Sequence, residues 1–393
     1  MNRTFAVKVT VLLVSMLTIM AGTPVSPALP KIAIAFAGEP HADLLARLVL
    51  TMPALFTVIG APIAGIIADR FGRKPLVLVS LALYAVAGTS GFFADTLQQL
   101  LAGRALLGLA VGGCITAGTA LITDYYQGAE RIKLLGFQAA FTTGGGVLFI
   151  SLGGFLAELG WRYPFLLYLV AVLVFALAVS LLYEPVRVQK ALEDSSDDSL
   201  PLGFIAVIYL IALVGHTCFF SVPVQMPFFL QGDFGVGGVG TGLTMSLATL
   251  CASVTAFNYG RVKSRFSYAT IIAVMFAMMS LGYVIIGLAP VVWVLVFGLC
   301  ITGVAAGLLI PSVNNWISEI TTSHNRGRAF GIITTSLFLG QFLAPIVMAP
   351  LVARVSYGTF FWVLGLFLLA MALVIRLAAV ALGHYTQLHG SND

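Results

Sequence analysis

Of the 393 residues, 60% are hydrophobic and only 9% are charged, and the mean hydropathy is +1.04, a composition that excludes an ordinary soluble domain. The formal net charge of +5 does not point to nucleic acid, because the basic residues sort by loop and form no single patch. At roughly 20 apolar residues per crossing, a chain of this length supplies about twelve spanning helices, and its unbroken apolar runs exclude a barrel built from alternating segments.

Twelve such runs are predicted: Thr10–Ile34, Leu45–Ala68, Leu76–Ala94, Leu97–Tyr125, Leu134–Ala157, Tyr163–Leu182, Leu202–Leu230, Thr241–Tyr259, Tyr268–Leu288, Val291–Ile317, Ala329–Ala353 and Thr359–Leu382. The first has a basic start, but its apolar run exceeds that of a signal peptide and its removal would leave an odd number of spans. Threading the chain puts Arg3, Lys8, Arg70, Arg73, Lys74, Arg131, Lys133, Arg187, Lys190, Arg261, Lys263, Arg265, Arg326 and Arg328 on one side. The other side holds Lys31, Arg47, Arg162 and Arg354. The basic side is expected to be cytoplasmic, with both termini there, in a bacterial-type cell membrane. Cys114, Cys218, Cys251 and Cys300 all fall inside predicted helices without metal-type spacing, as packing residues do.

Between the second and third runs lies Gly65-Ile66-Ile67-Ala68-Asp69-Arg70-Phe71-Gly72-Arg73-Lys74. Its glycines permit close approach and a turn, and Asp69 can pair with an arginine or cap a helix. This decapeptide resembles, almost position for position, the hinge signature of the major facilitator superfamily of secondary transporters, departing only at Ile67, where leucine is usual. The resemblance implies a latch holding helices 2, 4 and 11 in one state of the cycle. Gly65, Asp69, Arg70, Gly72, Arg73 and Lys74 belong to it, with Asp124 at the end of helix 4 as acidic partner. The alternative is that these residues only fix topology and stop the helices sliding.

The fourth run carries Arg104, about two turns inside an apolar helix, where a charge costs of order 2.5–3.5 kcal/mol and so must face protein or a wet cavity. With Gly108 and Gly112 it resembles the family's Arg-x-x-Gln-Gly pattern, except that Leu107 replaces glutamine. A cavity role is expected, able to sense a neighbour's protonation or hold an anionic group; snorkelling to an interface is the alternative. In the fifth run, Gly144, Gly153 and Gly154 preserve the glycines of a signature usual in proton-exchanging exporters, while Ile150-Ser151 stands in place of its Gly-Pro pair. Packing is therefore expected to persist, with the kink in doubt.

An acidic stretch around Glu193–Ser199 marks a linker midway along the chain. The halves flanking it repeat at one spacing. Gly65, Arg70 and Phe71 map onto Gly260, Arg265 and Phe266, all 195 positions on. Gly103, Gly108, Gly112, Asp124, Arg131 and Gly136 likewise map onto Gly298, Gly303, Gly307, Glu319, Arg326 and Gly331. The expected organisation is a six-helix bundle over residues 1–183, a cytoplasmic linker over 184–201 and a second bundle over 202–393. The fold class is an all-α membrane protein with twelve transmembrane helices in two six-helix pseudo-repeats, the major facilitator fold.

No acid lies between Thr10 and Ile34, and Asp124 and Glu319 fall at helix ends, so a carboxylate near the membrane midplane is missing. His216, near the middle of the seventh run, is the best internal proton carrier; a hydrogen-bonded structural histidine is the alternative. Gln138, Gln225, Asn258, Asn314, Asn315 and Gln341 are candidate cavity amides or, equally, interhelical contacts. Arg104 and His216 tilt the interior neutral to positive, favouring neutral, zwitterionic or anionic solutes over lipophilic cations. No zinc-type spacing, G-x-S-x-G elbow or phosphate-binding loop occurs, so no enzyme, metal or cofactor is expected. The reading is a monomeric, proton-coupled exporter of a small amphipathic compound, resembling the twelve-helix drug:proton antiporters. An exporter or importer of an endogenous metabolite, such as a siderophore, sugar or amino-acid derivative, is the alternative; a non-transporting receptor or assembly factor is one from another class.

Overall fold

The computed structural model describes residues 3–185, 202–321 and 325–389. The acidic run Glu193–Ser199 and most of the expected linker, with Arg187 and Lys190, lie outside the described residues. Among the described residues, twelve helices are long and apolar enough to cross a membrane. They are α1 (Phe5–Ala35), α2 (Ala42–Phe71), α3 (Arg73–Phe92), α4 (Leu97–Tyr125), α5 (Gly128–Leu159), α6 (Tyr163–Leu181), α7 (Ile205–Gly232), α8 (Gly238–Phe257), α9 (Tyr268–Gly287), α10 (Val292–Ile320), α11 (Gly327–Val352) and α12 (Tyr357–Ala378). The chain is a multi-pass membrane protein.

Local chemistry explains where these helices bend and stop. In α1, Pro24 and Pro27 lie within a 3₁₀ stretch, Thr23–Ala28, because proline cannot supply the α-helical N–H. Gly72 separates α2 from α3 with φ +103° and ψ 167°, a backbone region essentially reserved for glycine. The Thr96 hydroxyl accepts from Gln99 N at 3.2 Å and caps α4, and Ser267 does the same for Thr270 N at 3.4 Å at the start of α9. The α5 helix begins at Gly128, six positions before the predicted Leu134, because Glu130 to Lys133 extend it as a polar turn that hydropathy does not register. It runs unbroken through Ile150-Ser151, where the antiporter signature would have placed a proline.

The residues group into two compact units. The first comprises Met1–Ser199, Phe220–Ser246 and Phe338–Val347; the second comprises Leu200–Phe219, Leu247–Leu337 and Met348–Asp393. One boundary crosses α7 between Phe219 and Phe220. There Pro223, lacking an N–H, cannot make the helical hydrogen bond to the residue four positions before it. Pro227 likewise cannot donate to the carbonyl of Pro223, and the Ser26 hydroxyl of α1 takes that oxygen at 2.6 Å.

Within each unit, glycines let helices touch at backbone distance. A Cβ on Gly108 of α4 would sit 2.3 Å from the carbonyl oxygen of Pro53 in α2, and one on Gly303 of α10 would sit 2.2 Å from that of Ala248 in α8. The two contacts are related by the same spacing that relates the sequence halves. Gly112 meets Ala61 N and Gly307 meets Ala252 O in the same way, at 2.7 and 2.2 Å. Small residues at such crossings are what hold helices together in lipid, where burial of apolar side chains gives little drive.

Candidate functional site

The hinge between α2 and α3 is organised around one guanidinium. Arg73 Nη1 donates to Asp69 Oδ1 at 3.2 Å and to the Ala68 carbonyl at 2.8 Å, while Nε donates to Asp124 Oδ2, at the end of α4, at 3.3 Å. The structure thus brings together Asp69, Arg73 and Asp124. The Arg73 side chain is 24% exposed, Asp124 35% and Asp69 75%, so the Arg73–Asp124 pair is the better shielded.

A third acid joins them, the first residue of the expected linker. Glu184, just past α6, accepts from Arg73 N with Oε1 and from Lys74 N with Oε2, both at 2.8 Å. A carboxylate on two free N–H groups at a helix start is matched to the positive end of the helix dipole. Lys74 Nζ reaches back to the Val179 carbonyl of α6 at 3.1 Å. Gly72 leaves room for this arrangement, since a Cβ there would lie 2.5 Å from Glu184 Oε1. The detectable signal was an acid directly before Pro185, at the end of an apolar run. Arg70 is exposed, and Gly65 has open space where its Cβ would be, so the close approach expected at Gly65 is not made there. Nearby, Lys8 pairs with Glu130 and lies over the Tyr126 ring at 5.4 Å; burial, with Tyr183 and Glu130 close by, pushes the Tyr126 phenol up from its usual value.

The second unit contains a counterpart with different chemistry. Tyr268 occupies the position of Arg73 in the repeat and donates its hydroxyl to Glu319, the counterpart of Asp124. Both contacts span 51 residues of sequence. Lys263 lies 4.0 Å from the same carboxylate. A neutral phenol replaces the guanidinium at this position, so the contact is kept while the cation beside the acid is Lys263.

Arg104 is fully buried, at 0% exposure, and it faces protein. Nη1 donates to Tyr168 Oη at 2.8 Å and to the Ala21 carbonyl at 3.4 Å, and Nη2 donates to the Gly88 carbonyl at 2.8 Å. The guanidinium also lies 4.8 and 4.7 Å from the Phe165 and Tyr168 ring centroids, a favourable setting for a desolvated cation. It therefore ties α4 to α1, α3 and α6. His216 belongs to the second unit, partly buried on α7, its ring 6.1 Å from that of Phe219. None of the described aspartates and glutamates is buried, whereas Arg47 and Arg104 are.

The amides divide by environment. Gln138 of α5 donates to Ser15 Oγ at 2.9 Å and Thr119 Oγ1 at 3.4 Å, bridging α1 and α4. Gln225 of α7 is fully buried and accepts from Arg47 Nε of α2 at 2.9 Å. Asn258, predicted within a helix, instead lies just past α8, where it precedes the short helix Tyr259–Lys263 and accepts from Arg261. Its amide donates to the Val254 carbonyl at 2.8 Å, placing it at the second hinge. Asn314 and Gln341 are partly buried on α10 and α11, and Asn315 is exposed on α10.

Among the packing glycines, Gly153 abuts the Pro24 carbonyl of α1, with a Cβ-to-oxygen distance of 2.2 Å, and Gly154 abuts Gly238 and Gly242 of α8. Ser151, in the place of the signature proline, pairs with Ser246 of α8 at 2.8 Å. Gly144 has open space around it, so its smallness serves no contact here.

Comparison with known proteins places this geometry. The chain is 24% identical to the tetracycline resistance protein, class B, of Escherichia coli over 375 residues, covering 90% of this chain and 91% of that protein. It is 24% identical to the bacillibactin exporter of Bacillus subtilis (strain 168) over 337 residues, covering 80% and 82%. The solved D-xylose-proton symporter superposes with a TM-score of 0.81 at 18% identity, over 95% of this chain and 97% of that one, a likeness of fold. The sequence profile of the Major Facilitator Superfamily matches residues 11–247 and 208–387. The chain belongs to the Major Facilitator Superfamily.

Proposed function

We propose that this protein is a secondary active transporter that exports a small amphipathic compound in exchange for protons. Two bundles, residues 1–183 and 202–393, alternate access to a site between them. The observation that carries the reading is the hinge geometry, in which Arg73 is shared between Asp69 and Asp124 and Glu184 caps the following helix; it would serve as a latch. A charge lock between helices is suited to a protein that alternates between two states. Direction comes from the relatives, which bear the names of a tetracycline resistance protein and a bacillibactin exporter. The basic end of the hinge faces the cytoplasm, as the distribution of arginine and lysine favours, with both termini on that side of the cell membrane.

The substrate is neutral or acidic, because the described residues bury arginines and no carboxylate, and a lone buried carboxylate is what would serve a cationic drug. His216 carries the proton. Purified protein in proteoliposomes with an imposed pH gradient tests this: adding a substrate should move protons against solute flux. A panel of neutral and acidic amphiphiles that moves neither solute nor protons would overturn the reading. Export of an endogenous metabolite is the second reading, favoured by the similarity to a protein named bacillibactin exporter.

A further inference from the structure

Arg47 and Gln225 form a polar centre that the hinge and the proton carrier do not account for. Arg47 of α2 is 7% exposed, and Gln225 of α7 and Thr51 of α2 are both at 0%. Arg47 Nε donates to Gln225 Oε1 at 2.9 Å, Nη1 donates to the Asp43 carbonyl at 2.9 Å, and the Phe228 ring lies 4.2 Å from the guanidinium carbon.

The orientation of the amide follows from that first bond. With Oε1 turned to the guanidinium, Nε2 must point elsewhere, and it is buried with no hydrogen-bond partner. Thr51 Oγ1, one helical turn beyond Arg47 on the same face, is likewise buried without a partner. Buried donors are nearly always satisfied, so two unsatisfied ones beside a cation describe the complement of a particular ligand. Its group must accept hydrogen bonds, and the neighbouring guanidinium favours one that carries negative charge.

We propose that Arg47, Thr51 and Gln225 form a carboxylate-recognition site for the transported solute. The carboxylate oxygens accept from Gln225 Nε2 and the Thr51 hydroxyl, with the Arg47 charge alongside. Phe228 closes one face, so the carboxylate enters when α7 separates from α2. Pro223 and Pro227 flank Gln225 and remove two backbone hydrogen bonds from α7, which lets this stretch shift without breaking the rest of the helix.

The inference rests on the transport reading for its physiological meaning, but binding can be measured without transport. Full-length protein in a neutral detergent is titrated with benzoate, its neutral isostere benzamide, and phenyl phosphate, and the thermal unfolding midpoint is followed. Benzoate should raise the midpoint in a saturable way while benzamide does not. Gln225→Glu supplies its own carboxylate to Arg47 and should abolish the benzoate shift. Thr51→Val should weaken benzoate roughly two- to tenfold, and it decides the matter if Gln225→Glu does not fold. An equal shift from benzamide, or a benzoate response unchanged in the variants, overturns the site. A response confined to phenyl phosphate overturns the carboxylate assignment in favour of a phosphate group such as a lipid headgroup. Protein that binds benzoate as expected yet transports nothing in vesicles overturns the transport reading and leaves this site standing.

Discussion

Replacing Gly72 by alanine should weaken the protein through two linked effects. The backbone there sits at φ +103° and ψ 167°, a region in which a side chain costs of order 1–3 kcal/mol. The new Cβ would also lie 2.5 Å from Glu184 Oε1 and 2.7 Å from its carboxyl carbon, displacing the carboxylate from the N–H groups of Arg73 and Lys74. Losing a helix cap costs about 0.5–2 kcal/mol, and the exposure of Glu184 puts this site at the lower end. Gly72→Ala should therefore cost roughly 1.5–4 kcal/mol, and Glu184→Ala about 0.5–1 kcal/mol. The double variant should be no worse than Gly72→Ala alone, because the cap is already gone. A double-mutant cycle on unfolding in mixed micelles reads the coupling. Strict additivity would show that Gly72 and Glu184 do not act on one another and would refute the cap.

Asp69→Asn should leave folding intact and slow transport modestly, and Asp124→Asn should slow it more. The reason is that Asp69 is 75% exposed against 35% for Asp124, and exposed pairs contribute little; equal or reversed effects on proteoliposome flux would contradict this. His216→Gln should preserve downhill exchange and abolish proton-driven accumulation, and full gradient-driven uptake by that variant would remove helix α7 from the proton path. Gly108→Val should fail to accumulate as folded protein, because its side chain would meet the Pro53 backbone oxygen from 2.3 Å, whereas Gly144→Val, in open space, should express normally. Comparable yields in membranes would argue against the α2–α4 contact.

Hydropathy made the twelve helices legible, and α4 runs from Leu97 to Tyr125, where the apolar run itself begins and ends. It failed where a helix continues past its apolar segment, as at Gly128, because charge does not break a helix that has left the membrane. The hinge was legible because its residues are contiguous, and the repeat because glycines recur where backbones touch. Glu184, Arg47 and the enclosure of Arg104 were not. Glu184 meets the hinge from 111 residues away and Arg47 meets Gln225 from 178 away. Periodicity and motif spacing carry no record of such pairings. Arg104 shows the same limit: cost of burial foretold that it must face protein, but not that Tyr168 and two backbone carbonyls would accept from its Nη groups.

The most direct test of the central claim is proton movement in proteoliposomes challenged in turn with neutral, acidic and monovalent cationic amphiphiles of matched size. The account predicts saturable, substrate-dependent proton flux with neutral or acidic compounds and little with an ethidium-like cation. Strong proton-driven efflux of the cation, with none of the neutral or acidic compounds, would contradict it.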